Sequence, residues 1–128
     1  MSKRKSIEIE GLKHTMPIPN ASRIGQFVAT GSIFGTDPTT GKIPPDLESQ
    51  VRNVFANVRR IIEAAGGTTD DILKLNVWMK DKSQRALVNE EWLKMFPDEH
   101  SRPARHTHGG EDLAPGVLIQ CEMMAVIE

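Results

Sequence analysis

The sequence predicts one α+β domain: a mixed β-sheet with two helices on one of its faces, in the order β-β-β-α-β-α-β-β. Three observations predict it. Val51, Val54, Phe55, Val58, Ile61, Ile62 and Ala65 recur at helical spacing and make one apolar stripe. Leu73, Leu75, Val77 and Met79 alternate with Lys74, Asn76, Trp78 and Lys80, the period of a half-buried strand. The run from Val117 to Ile127 reads as a closing strand. A chain of 128 residues is long enough for one core and shows no internal repeat or second domain, so residues 1–128 are read as a single unit.

The elements follow in order. Ser6 to Glu10 alternates polar and apolar residues and predicts a short first strand. His14 to Ser22, with Pro17 and Pro19, reads as an irregular connector. Gln26 to Thr30 is a second strand, interrupted at Gly31 and continued by Ser32 to Gly35. A glycine inside a strand pattern marks a bulge or a close backbone approach. Asp37-Pro38-Thr39-Thr40-Gly41 is a turn. Asp46 is the expected N-cap of the first helix and Gly66 its terminator. The alternating strand follows, with Trp78 on its polar face, which points to a covered or oligomeric surface. Ser83 is the expected cap of a second helix that turns Leu87, Val88, Trp92, Met95 and Phe96 toward the core and stops at Pro97. Ala104 to His108 and Val117 to Ile127 complete the sheet.

Composition narrows the function classes. Hydrophobic residues make up 38% and charged residues 26%, as in a soluble globular domain, and no stretch is long enough to span a membrane. Sixteen Lys and Arg against seventeen Asp and Glu leave a net charge of −1, which gives no general attraction to nucleic acid. The opening Met1-Ser2-Lys3-Arg4-Lys5 is basic, but no signal-peptide core follows it. A single cysteine suits a reducing compartment, so the expected location is the cytoplasm.

Arg105 is the leading candidate for chemistry. Pro103 pushes Arg102 toward extended geometry, which places Arg105 near the start of a strand. A guanidinium on a rigid element presents a planar fork suited to a small carboxylate. Gln120 and Glu122, two apart in the last strand, share a face. Gln120 can hold a water or a substrate nitrogen but cannot accept a proton as a base. Proton transfer would then fall to His14, His106, His108, Glu111, Glu122 or the substrate. His106 and His108 with Glu111 and Asp112 supply too few convergent ligands for a metal site. Cys121 points away from Gln120 by strand parity and reads as an inert buried thiol.

Asp37-Pro38, Thr40-Gly41, Gln50, Asn57, Ala64-Ala65-Gly66, Asp71, Lys74, Asn89 and Pro103-Ala104-Arg105, in this order from about Ala21 to the C-terminus, resemble the RidA/YjgF family of imine and enamine deaminases. The resemblance implies a chorismate-mutase-like fold and a homotrimer whose sheets line a central barrel, with ligand clefts between neighbouring subunits. It implies a cofactor-free, metal-free reaction in which water attacks the C=N carbon of a reactive imine and ammonia leaves. The family's carboxylate-binding arginine maps onto Arg105, its ligand-contacting glycine onto Gly31 with Thr30 beside it, and its helix-borne asparagine onto Asn89. The Ser-Cys pair that often follows the arginine is here His106-Thr107, counted with the substrate-binding positions. The deaminating members' water-orienting glutamate is here Gln120, and their usual connector tyrosine has no counterpart, since the chain contains no tyrosine. The expected partner is thus a small carboxylate-bearing metabolite, with neither nucleic acid nor membrane. A metabolite-binding trimer without turnover is the alternative. RNA cleavage or translation inhibition fits less well with the balanced charge and 5% aromatic content.

Overall fold

A computed structural model describes residues 3–128, leaving the first two residues of the basic opening outside the described part. The strands are β1 (Arg4–Ile7), β2 (Ala21–Ile24), β3 (Phe27–Thr30), β4 (Ile33–Phe34), β5 (Ile72–Met79), β6 (Ala104–Gly109) and β7 (Ile119–Val126). The helices are α1 (Leu47–Ala64) between β4 and β5, and α2 (Arg85–Met95) between β5 and β6. All seven strands form one mixed sheet in the order β1-β2-β3-β7-β5-β6, with β4 paired to β7 beyond the end of β3. Every pairing is antiparallel except β5 with β6, which α2 joins as a crossover.

Cross-strand partners share a face, so the register sorts the side chains. Val28 opposes Ala125, Ile33 opposes Cys121, and Leu75 and Val77 oppose Met123 and Cys121. These pack against Val51, Val54, Phe55, Val58, Ile61 and Ile62 of α1 and Val88 of α2. The other face carries no helix.

α1 is fixed at both ends as its sequence predicts. The Asp46 carboxylate accepts from the Ser49 N–H at 2.9 Å. At the far end Gly66 takes φ +96° while its N–H reaches Glu63 O, and the Gly67 N–H reaches Ile62 O, a Schellman termination. Two buried amides hold α1 against irregular backbone. Gln50 donates to Pro44 O and Gly116 O and accepts from the Leu118 N–H; Asn57 donates to Phe34 O and Thr36 O. Such fully paired amides satisfy carbonyls that would otherwise be buried without partners.

Four local expectations need correction. The first strand is Arg4–Ile7 and not Ser6 to Glu10, because the Ile9 N–H leaves the ladder for Asn20 Oδ1 at 2.9 Å. The connector ends at Asn20, since Ala21–Ile24 pairs with both β1 and β3 through a hairpin at Gly25-Gln26. Leu73 is 59% exposed because a bulge between Ile72 and Lys74 places Ile72 inward in its stead. Ser83 does not cap α2: its hydroxyl and N–H both bond to Asp81, which opens a short 3₁₀ turn ahead of the helix.

Gly35 is where β4 touches α1. A Cβ built there would lie 2.6 Å from Gln50 O and 2.7 Å from Gln50 Cα, both backbone atoms that the buried amide holds in place. Gly35→Ala should therefore destabilise the fold by about 1–3 kcal/mol. A lowered midpoint with unchanged slope in urea denaturation is the expected result.

Candidate functional site

Arg105 lies on edge strand β6 opposite Leu75, which places its side chain on the helix side of the sheet. Three contacts shape it. Nη2 donates to Asn89 Oδ1 at 2.7 Å, the guanidinium carbon sits 4.9 Å from the centre of the Trp92 ring, and Nη1 is shut off from solvent without a hydrogen-bond partner. Neither Arg105 nor neighbouring Arg85 appears among the ion pairs of the described residues. Burial first, and then the Arg85 charge, push the Arg105 guanidinium down from its ordinary value. A held, partly desolvated guanidinium with no carboxylate partner among the described residues has the chemistry to bind an anion.

The helix-free face carries a second cluster. Gln120 opposes Trp78, Glu122 opposes Asn76, and His106 and His108 on β6 line up with Asn76 and Trp78. Gln120 Nε2 donates to Ser32 Oγ at 3.4 Å, next to Gly31. Asn76 Nδ2 donates to Glu122 Oε1 at 3.4 Å, which leaves its Oδ1 to accept from His108 Nε2 at 3.2 Å. His108 stacks on Trp78 with centroids 4.8 Å apart and lies against His106 at 3.9 Å. Desolvation first, then the charges of His106, Lys74 and Lys82, hold His108 below its ordinary value, against an upward pull from Glu122.

Gly31 sits at the irregularity between β3 and β4. The Thr30 hydroxyl fills the gap in the ladder, accepting from the Met123 N–H at 3.0 Å and donating to Gly31 O at 2.8 Å. A Cβ at Gly31 would meet nothing in this chain closer than 3.7 Å, so the sequence expectation of a close approach is not met by the chain's own atoms.

A family model described as Endoribonuclease L-PSP matches residues 12–127. The chain belongs to the RidA/YjgF family. A RutC family protein of Pyrococcus horikoshii is 34% identical over 113 residues, covering 88% of each chain. The 2-iminobutanoate/2-iminopropanoate deaminase of Escherichia coli is 34% identical over 104 residues, covering 80% of this chain and 81% of the relative. Among solved structures, RidA of an Antarctic Psychrobacter superposes with a TM-score of 0.88 at 28% identity, covering 96% of this chain and 99% of that one. The E. coli YjgF gene product superposes with a TM-score of 0.87 at 31% identity, covering 97% and 99%.

Within one chain of this RidA/YjgF family fold the expected site residues divide into two groups. Arg105, Asn89 and Thr107 lie on the helix side; Gln120, Glu122, His106 and His108 lie on the free face. Arg105 and Gln120 therefore do not converge within a chain. Glu111 and Asp112 are exposed beyond the end of β6, and no group of three or more His, Cys, Asp or Glu among the described residues could hold a metal ion. Cys121 is buried in the core, and burial, with Glu122 second, pushes its thiol up. A cavity of about 640 Å³ between β1, β2 and the end of α1, lined by Lys3, Lys5, Arg23 and Ala65, contains none of the expected residues.

Trp92 packs against the core as the sequence predicts, and its half-buried ring also supports Arg105, a contact that the sequence reading did not assign. That reading missed Ser32 and Asn76, the partners of Gln120 and His108. Trp92 was detectable: Arg85, Asn89 and Trp92 follow the i, i+4, i+7 spacing of one helix stripe.

The His108 environment has a pH consequence. With its folded pKa below the ordinary 6.5, the folded state binds fewer protons than the unfolded chain just below that pH. Stability therefore rises with pH through this window and falls on acidification. Ring NMR should show His108 titrating below 6.5, and His106→Gln, which removes a nearby positive charge, should move it back upward.

Proposed function

We propose that this protein hydrolyses reactive imines and enamines bearing a carboxylate, releasing ammonia and a 2-oxo acid, in clefts between the subunits of a cytoplasmic homotrimer. The observation that carries the reading is Arg105: partly buried, stacked on Trp92, oriented by Asn89, and without a carboxylate partner among the described residues. The deaminase name of the E. coli relative supports the reaction class.

The division of the site supports assembly. Arg105 lies on one side of the sheet and Gln120 on the other, so a cleft that uses both needs Arg105 from one copy and the Gly31–Gln120 region from the next. The uncovered face exposes Ile24 (45%) and Phe27 (50%), with half-buried Met124 and Val126 beside them in register. A recurring apolar patch of this kind is covered economically by cyclic self-association, and the family resemblance supplies the count of three. Gly31, not required by its own chain, is then kept small for the ligand or the neighbour.

In this cleft Arg105 holds the substrate carboxylate by its fork and fixes the C=N carbon in place. Gln120 orients water through its carbonyl while its NH₂ group stays on Ser32. Water adds to the C=N carbon and one of its protons goes to the nitrogen; the carbinolamine hydroxyl then gives its proton to the amino group as the C–N bond breaks, leaving a C=O and releasing ammonia. An amide supplies orientation without a base, so proton movement relies on the substrate nitrogen and solvent.

Two outcomes are expected. Arg105→Ala should abolish binding of small 2-oxo acids in calorimetry, and Arg105→Lys should restore it only in part, because lysine lacks the planar fork. Gln120→Glu, which adds a proton acceptor, should raise ammonia release from imino acids generated in situ by an amino-acid oxidase, by up to about 10²-fold. A wild-type protein that binds oxo acids yet leaves ammonia release at the uncatalysed rate would convert the reading to a metabolite-binding trimer.

A further inference from the structure

Arg85, Asn89 and Trp92 lie on one stripe of α2, and two of the three touch Arg105: Asn89 through its hydrogen bond and Trp92 through its ring. Arg85 stands four residues, about one turn, N-terminal of Asn89 on that stripe, a rise of about 6 Å along the helix. It is exposed and takes part in no ion pair of the described residues. The acidic residues of α2 do not neutralise it: Glu90 and Glu91 fall off the stripe, and Glu91 is paired with Lys94 at 3.6 Å. Gln84, the residue at the N-cap of α2, makes no side-chain cap, so the positive end of the helix dipole adds to the Arg85 charge.

Resting on the reading of Arg105 as a carboxylate anchor, we propose that Arg85 is a second cation of the same cradle, and that the ligand carries two negative charges, as in a 2-imino or 2-oxo dicarboxylic acid. A monocarboxylate on Arg105 neutralises one guanidinium and leaves the other facing it without a counterion. A second carboxylate placed about one helical turn away, the separation in a five-carbon diacid, meets both. The mutual repulsion of Arg85 and Arg105 in the free protein becomes attraction to a shared dianion. Because Arg85 is exposed, its share is that of a solvated ion pair, which sets the preference at roughly 1.5–5-fold.

The test uses the full chain and a matched pair of probes, 2-oxopentanoate and 2-oxoglutarate, which share a five-carbon backbone and differ in the terminal carboxylate. Calorimetric affinities at low and physiological salt are compared for wild type, Arg85→Gln, Arg85→Glu and Arg105→Ala. The Arg85 backbone N–H bonds to Lys82 O, which substitution of the side chain leaves intact, and the side chain is exposed and outside the ion pairs of the described residues, so its variants are expected to fold. The expected result is a wild-type preference for 2-oxoglutarate that narrows with salt, falls toward one in Arg85→Gln and inverts in Arg85→Glu. A wild-type ratio at or below one, or a ratio unmoved by Arg85→Glu, overturns the inference and leaves the Arg105 anchor standing. Undiminished 2-oxopentanoate binding in Arg105→Ala overturns the anchor itself, and failure of wild type to bind either acid removes both.

Discussion

Strand pleating sends alternate side chains of β3, β5 and β7 to opposite faces of the sheet, and helices meet them on one face only. Val28, Leu75, Val77, Cys121 and Met123 go inward to α1 and α2. Phe27, Asn76, Trp78, Gln120, Glu122 and Met124 go outward, where this chain supplies nothing to cover them. That asymmetry controls the rest of the molecule. It confines the core to one layer, makes the free face part apolar and part polar, and separates Arg105 from Gln120 by the thickness of the sheet. Both features make the second copy a physical requirement of the proposed cleft.

Arg105 shows how such a split can be tolerated. A guanidinium removed from water without a carboxylate is costly, and here the cost is limited by the Trp92 ring, by Asn89 and by the edge position of β6, which leaves the charge partly solvated. The remaining unpaired Nη1 is a local deficit in an otherwise well-paired structure. By contrast, the buried amides of Gln50 and Asn57 on α1 are bonded through both their NH₂ groups and their oxygens, Gln50 to backbone at Pro44, Gly116 and Leu118, and Asn57 to Phe34 O, Thr36 O and the Arg60 side chain. The contrast separates polar groups that are fully engaged in holding the fold from one that is only partly paired.

Much of this was legible in the sequence because it follows from period and chirality. The α1 stripe, its Asp46 cap and its Gly66 termination, and the alternation from Leu75 to Met79, are local patterns that the fold keeps. What escaped depends on partners distant in sequence. β2 is a strand because β1 and β3 flank it, not because Ala21-Ser22-Arg23-Ile24 alternates, and the bulge that turns Leu73 outward is a matter of register with β7. Candidate site residues could be named from the sequence, but their arrangement could not. Strand parity related Gln120 to Glu122, yet parity within single strands could not show that Arg105 and Gln120 face opposite sides, because that depends on the parallel pairing of β5 with β6.

The two tryptophans of this tyrosine-free chain fall on opposite sides of the same sheet. Trp92 lies under the Arg105 guanidinium, and Trp78 lies against the His108 ring on the uncovered face. The intrinsic emission of the protein is therefore the sum of two environments with no phenol donor feeding either. Light from Trp92 responds to what occupies the cationic side. Light from Trp78 responds to the protonation of the imidazole stacked on it and to whatever excludes water from that face. Replacing either indole with phenylalanine isolates the emission of the other.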